Sequence, residues 1–437
     1  ITGAIAGNGS GDNDTMRLDF RRILPFEVAA LEAIAAGSGS FNFRFEDYTY
    51  TDIENIDLSN LHMSDFGKRA TWENQIALGE ALDNLPFVTP DLDYILYLVD
   101  EEAPDMDLAL RQLTPELYDL ARVGQFDLMR HWNRSIRTGA AGTTLVEDEL
   151  AGSRVWFDGL GALISQSDGS QDQLAYTALA RAQRIGVDIN IGLSTFIGVA
   201  FGHSTTSADA DSYSDAPDSY LGSESYFGMV YGTHAFANGM VFEGQLQYGQ
   251  DSYTANRQIM ISDEWRTALA EFDGELAGVS GRLSWGGFEW NGWHLKPDAG
   301  LSYMYYGSDA FEETNAGDIN LALEARAAHA LEVELGASTG GSFVLTNSAA
   351  VGFNIRGAVH ADLLGDNTYS AALVVIPDSG FTMQGQASDP IFFSLEASID
   401  YALPNNLGEI FLELSSEIHP SVGSANIGAQ AEASIRF

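Results

Sequence analysis

The sequence predicts an all-β transmembrane barrel: twelve antiparallel outer-membrane strands around a central pore helix, preceded by a helical linker and a β-solenoid remnant. Three observations predict it. From residue 153 onward the chain alternates apolar and polar residues over runs longer than ten. Short turns alternate with long polar loops along the same stretch. The last residue, Phe437, falls on the apolar phase of that alternation, where a soluble chain would end in a polar tail.

Composition agrees. The 437 residues contain 45 glycines, 24 phenylalanines and 17 tyrosines but only 7 tryptophans, a mixture suited to turn-rich β-structure with aromatic packing. Acidic residues outnumber basic ones 62 to 21, and the lysines are only Lys68 and Lys296. A net charge of −41 repels nucleic acid and excludes a polyanion partner. The absence of cysteine removes disulfides and thiolate metal sites. No apolar run is long enough for a transmembrane helix, and the opening "ITGAIAGNGS" is no signal peptide.

Residues 1–65 read as short strands, with "PFEVAALEAIAAGSG" as an inserted helix. They suit the last coils of a β-solenoid, whose repeats bury their faces only by stacking, so further coils are expected upstream. Residues 66–113 form a helical linker, in which Thr89 is the expected N-cap and Pro90 the first helical residue. Thr114 and Pro115 repeat that signal and open a helix to Arg137, with a connector to residue 152. At 1.5 Å per residue this helix spans about 36 Å, more than the roughly 25 Å apolar band of such a barrel. It carries Arg122, Arg130, Arg134 and Arg137 against Asp127, and the last three arginines share one face. In so acidic a chain it fits a lumen whose inward strand positions supply Glu332, Glu334, Glu396, Asp400, Glu413 and Glu432 as partners.

The barrel occupies residues 153–437. "IFFSLEASIDYAL" sets Ile391, Phe393, Leu395, Ala397 and Ile399 against Ser394, Glu396, Ser398 and Asp400; "AVGFNIRGAVHADL" sets Val351, Phe353, Ile355 and Val359 against Asn354, Arg356, His360 and Asp362. The end gives Ile427, Ala431 and Ile435 against Gln430, Glu432 and Ser434. Period two with one apolar face means strand. A sandwich is the alternative, but its strands are typically about 5–6 residues and its outer faces less charged. Short turns are expected at Leu193–Ser194, Ala237–Asn238, Asn291–Gly292, Gly340–Ser342 and Pro404–Asn406. Long loops are expected at "SQSDGSQDQ", "STTSADADSYSDAPDS" and Asp366–Asp389.

Catalytic patterns fail on context. "GASTG" (336–340) lies at a strand end and lacks the strand-to-helix elbow that a hydrolase serine needs. "GNGSGDND" is a single calcium-repeat-like turn, and the histidines, His360 included, are scattered. No enzyme, cofactor or metal site is expected in this chain.

The order of β-coils, linker, long helix and a barrel ending in "SIRF" resembles the monomeric autotransporters (type V secretion) of Gram-negative bacteria. "SRVWFDGLGALIS" resembles the opening of their barrels; "NQIALGEALDNL" and "QLTPELYDLAR" resemble their junction helices. The resemblance implies a translocator and surface anchor for an N-terminal passenger, with the linker helix left in the pore. It implies a monomer among outer-membrane lipid and lipopolysaccharide, handled by periplasmic chaperones and by a barrel-assembly machinery that reads Phe437. Some members cut themselves at an Asn–Asn pair in the pore helix; here that helix holds only Asn133. A diffusion channel, or an outer-membrane enzyme active in upstream sequence or loops, is the competing function.

Overall fold

The computed structural model describes the backbone of strand segments 15–17, 41–45, 48–53 and 55–57, then residues 65–101, 106–135, 153–167 and 174–437. Positions 193, 212–217, 262–263, 291–292, 346–348, 366, 387–388 and 405–406 are excepted. Arg137 and "GNGSGDND" lie outside the described residues. Among the described residues, no helix is long and apolar enough to cross a membrane; the crossing is made by strands.

Twelve strands form the wall: β1 (Arg154–Gln166), β2 (Tyr176–Asn190), β3 (Thr195–Ala210), β4 (Ser219–Ala235), β5 (Val241–Ile261) and β6 (Glu264–Ser284). Then follow β7 (Trp293–Ser308), β8 (Arg326–Val344), β9 (Ala350–Asp362), β10 (Ile391–Ala402), β11 (Gly408–His419) and β12 (Ser424–Arg436). Each pairs antiparallel with the next. The ring closes where β12 pairs with β1, from Ser424↔Gln166 to Arg436↔Arg154. Beyond the last strand, the Phe437 N–H still donates to Ser153 O at 2.9 Å. Closure leaves no unpaired edge, the condition for a sheet in hydrocarbon.

Parity decides the faces. Ile427, Ile435, Ile399 and Leu395 are more than half exposed on the outside, while Asn426, Gln430, Ser394 and Glu396 are buried inside. Outward aromatics form two bands: Tyr226, Tyr248 and Tyr303 toward the long-loop end, Phe242, Phe288 and Trp293 toward the short-turn end.

The turn expected at Gly340–Ser342 is instead strand, because β8 runs on to Val344. Gly341 stands between Trp293 and Phe353 in the register. Its missing side chain lets those rings meet edge-to-face across it, at 5.1 Å. "GASTG" therefore lies wholly inside β8. "STTSADAD" is likewise mostly strand, as β3 extends to Ala210. The longest wall strands, β5 and β6, have 21 residues each. At ~3.3 Å per residue that is about 70 Å, longer than the roughly 25 Å band needs even at about 45° tilt.

At the long-loop end the described parts of two loops, 309–325 and 367–386, form structure of their own. Segments Phe311–Glu312, Leu321–Leu323, Thr368–Leu373 and Ile376–Gln384 form a four-stranded sheet, which places two strands inside the expected loop 366–389. Against it packs the linker: α1 (Phe66–Arg69), α2 (Glu73–Asp83), α3 (Pro90–Glu101) and α4 (Met106–Arg111). Leu78, Leu82, Leu92, Leu96 and Leu110 share one apolar core with Leu321, Leu373 and Ile376. Thr89 caps α3, its hydroxyl accepting the Leu92 N–H at 3.1 Å. A Cβ on Gly79 would lie 2.5 Å from Gly67 N, so glycine is what lets α1 and α2 touch.

Candidate functional site in the barrel lumen

Thr114 does not open the long helix. Its hydroxyl donates back to Arg111 O at 2.6 Å, and a 3-10 turn (Glu116–Asp119) leads into α5 (Leu120–Ser135). Helix α5 lies inside the barrel: Trp132 stacks on Phe227 of β4 at 3.6 Å, and Gln125 Nε2 donates to Ser225 Oγ at 3.0 Å.

Its basic face meets acidic wall. Arg130 Nε donates to Glu332 Oε1 at 2.8 Å, Nη1 donates to Asp127 Oδ1 at 2.6 Å, and Glu417 Oε1 is 3.7 Å away. Arg134 pairs with Glu417 and lies 3.6 Å from Glu396. All of these groups are less than a tenth exposed. In so dry a setting an ion pair holds only while both partners stay. Among the described residues, Arg122 meets no wall carboxylate: it donates to Asp119 at 3.0 and 2.8 Å and to Gln386 O at 2.8 Å.

The six acidic wall positions therefore divide. Glu332 and Glu396 reach the helix. Glu334 pairs with Arg282 and Arg356, and Glu432 with Arg154 at 3.3 Å, all within the wall. Asp400 lies against the backbone of Gly352, and Glu413 is half-buried on the inward face. Glu417, which is not among the six, shares the parity of Glu413 and takes Arg130 and Arg134. A second tier of arginines lies within the wall: Arg184, which the sequence analysis does not single out, donates to Asp158 at 3.0 Å, and the inward Arg356 donates to Asp298 at 2.6 Å. Their inward parity was the available signal. A polar cavity of about 50 Å³ remains beside Arg130, Asn133, Arg134 and Arg282, room for water alone.

At the outer end of α5, three buried carboxylates tie helix, loops and linker together. Asp119 accepts from Arg122, from Arg326 at the start of β8, and from the Gln386 N–H. Glu313 accepts from Arg257 at 2.7 and 2.6 Å, from the Tyr118 hydroxyl at 2.5 Å and from the Leu321 N–H at 2.7 Å. Glu116 accepts from Asn74 at 3.1 Å and Gln75 at 3.2 Å. Burial would raise the Asp119 carboxyl, but the guanidiniums of Arg122 and Arg326 hold it well below the usual carboxylate range. Among the described residues, no cluster of three metal-ligating side chains occurs.

A closed twelve-stranded barrel filled by the helix that precedes it is the architecture of a translocator domain. Residues 155–409 match the autotransporter β-domain family, and the chain belongs to that family. It is an outer-membrane protein of a Gram-negative bacterium. No curated protein matches. Among solved structures, the translocator domain of autotransporter NalP from Neisseria meningitidis is 14% identical. That match covers 74% of this chain and 100% of the other, with a TM-score of 0.57. The β domain of the Bordetella autotransporter BrkA is 16% identical (TM-score 0.48, covering 65% of this chain and 100% of that one). The transport unit of AIDA-I from Escherichia coli is 12% identical (TM-score 0.47, 69% and 96%). At these identities the likeness concerns fold alone.

Proposed function

We propose that residues 153–437 export and anchor a passenger continuous with the N-terminal end of this chain, and that residues 114–152 then stay in the lumen as a plug. Residues 1–65 are the passenger's last coils, and residues 66–113 are the junction at the cell surface. The observation that carries this reading is the set of buried pairs from Arg130 and Arg134 to Glu332, Glu396 and Glu417, which lie on β8, β10 and β11. A helix held by its own charges to the β8–β11 side of the wall, and stacked through Trp132 on Phe227 of β4, is positioned to close the lumen. Assembly of a monomer through Phe437, by the barrel-assembly machinery, belongs to the same reading.

The test is protease shaving of intact cells that express the chain with an epitope before residue 1. The account expects the epitope to be lost from intact cells while the heat-modifiable barrel survives. An epitope that is cut only after the outer membrane is broken would contradict export.

A further inference from the structure

The basic face of α5 has a weakness as a positioning device. Arg130 and Arg134 are one helical turn apart, and a helix in a narrow lumen can shift by one turn with its side chains returning to nearly the same directions. A one-turn shift toward the outer mouth brings Arg134 to the place of Arg130, where Glu332 and Glu417 still wait. His131 then replaces Asp127. The lumen pairs resist the shift only in part: Thr138 takes the place of Arg134 and Arg130 moves to that of Phe126, but the Glu332 and Glu417 side of the Arg130 place is refilled by an arginine.

The place of Asp119 cannot be refilled. The same shift puts Val123 there, beside Arg326 and the Gln386 N–H, and puts Phe126 where Arg122 stood. A shift the other way brings Pro115. Either leaves the buried Arg326 guanidinium without its carboxylate, the costly outcome for a dry charge. Arg326 is otherwise bound to Asn367 O at 2.8 Å, so the wall side of this hub is held by an ordered loop. Asp119 itself is fully buried.

We propose that Asp119 is the positioning residue that completes the register of the pore helix, through Arg326 and the Gln386 backbone, because the arginine face refills only one of its two places after a one-turn shift. This goes beyond the plug reading, because it holds for the folded chain however the helix came to lie there.

The sequence contains no cysteine, so paired cysteines report without background. Gln125→Cys with Ser225→Cys reads the observed register, where these side chains touch. Met129→Cys with Ser225→Cys reads the register one turn outward. With Asp119 present, only the first pair should crosslink. Moving the carboxylate by Asp119→Val with Val123→Asp should transfer crosslinking to the second pair in barrels that remain heat-modifiable. Asp119→Asn alone should yield both products, and a barrel that tolerates only this milder variant still decides the matter. Efficient 125–225 crosslinking alone, in either variant, overturns the proposal; so does a shifted product that appears equally with Asp119 intact.

Discussion

At the scale of single residues, the lumen is governed by what a buried charge needs. Arg130 is 8% exposed and holds two carboxylates at once, Glu332 and Asp127. Arg130→Ala should destabilise the folded chain by about 3–5 kcal/mol, since it strands both anions; denaturant titration in detergent measures this, and a loss below about 1 kcal/mol, the level of an exposed pair, would contradict the burial. Acid acts on the Asp119 hub. Its folded pKa lies below the unfolded value of about 3.9, so its contribution is fully present above that value and is lost as pH falls toward the lower one. Stability of the helix–loop junction should thus be flat from about pH 5 to 8, and Asp119→Asn should remove part of the acid-induced loss below about pH 4. Following junction opening by limited proteolysis across pH checks both statements.

At the scale of elements, strand parity was legible throughout and partner choice was not. Side chains alternate faces along any strand, so one apolar position such as Ile427 assigns Gln430 and Glu432 to the lumen without knowledge of their neighbours. The same rule assigns Glu417 and Arg184 to the lumen. What parity cannot reveal is register between distant segments. Asp119 meets Arg326, 207 positions away, because β8 begins at the outer rim where the helix begins. The glycines at 340–341 read as a turn because glycine commonly ends strands, whereas here the small residue makes room for Trp293 and Phe353. The face assignment has a direct check. Ile427→Lys or Leu395→Lys should cost about 2–4 kcal/mol if its side chain lies at the bilayer midplane, and Ser398→Lys should be mild. Equal costs at the two kinds of site in a folding titration would refute the assignment.

At the scale of the whole molecule, opposite charges are distributed so that barrel and helix complete each other. The chain is strongly acidic, yet α5 presents Arg130 and Arg134 where the wall offers Glu332, Glu396 and Glu417. The long-loop end adds a cap, in which linker helices and loop strands share one apolar core and the Asp119, Glu313 and Glu116 hubs join it to α5. That the lumen would be filled was legible from the local reversal of charge around Arg130. The cap was not, because a loop such as 366–389 shows its strands only once Leu373 and Ile376 find the leucines of the linker. The central claim, that α5 seals the barrel by charge pairing, is tested most directly by single-channel conductance in planar bilayers. The intact chain should stay nearly closed, and the chain with Arg130, Arg134 and Arg137 all changed to Glu should insert equally well and conduct in long open events. Conductance that is the same in both, with the helix of the intact chain shown by crosslinking to leave the lumen freely, would contradict the account.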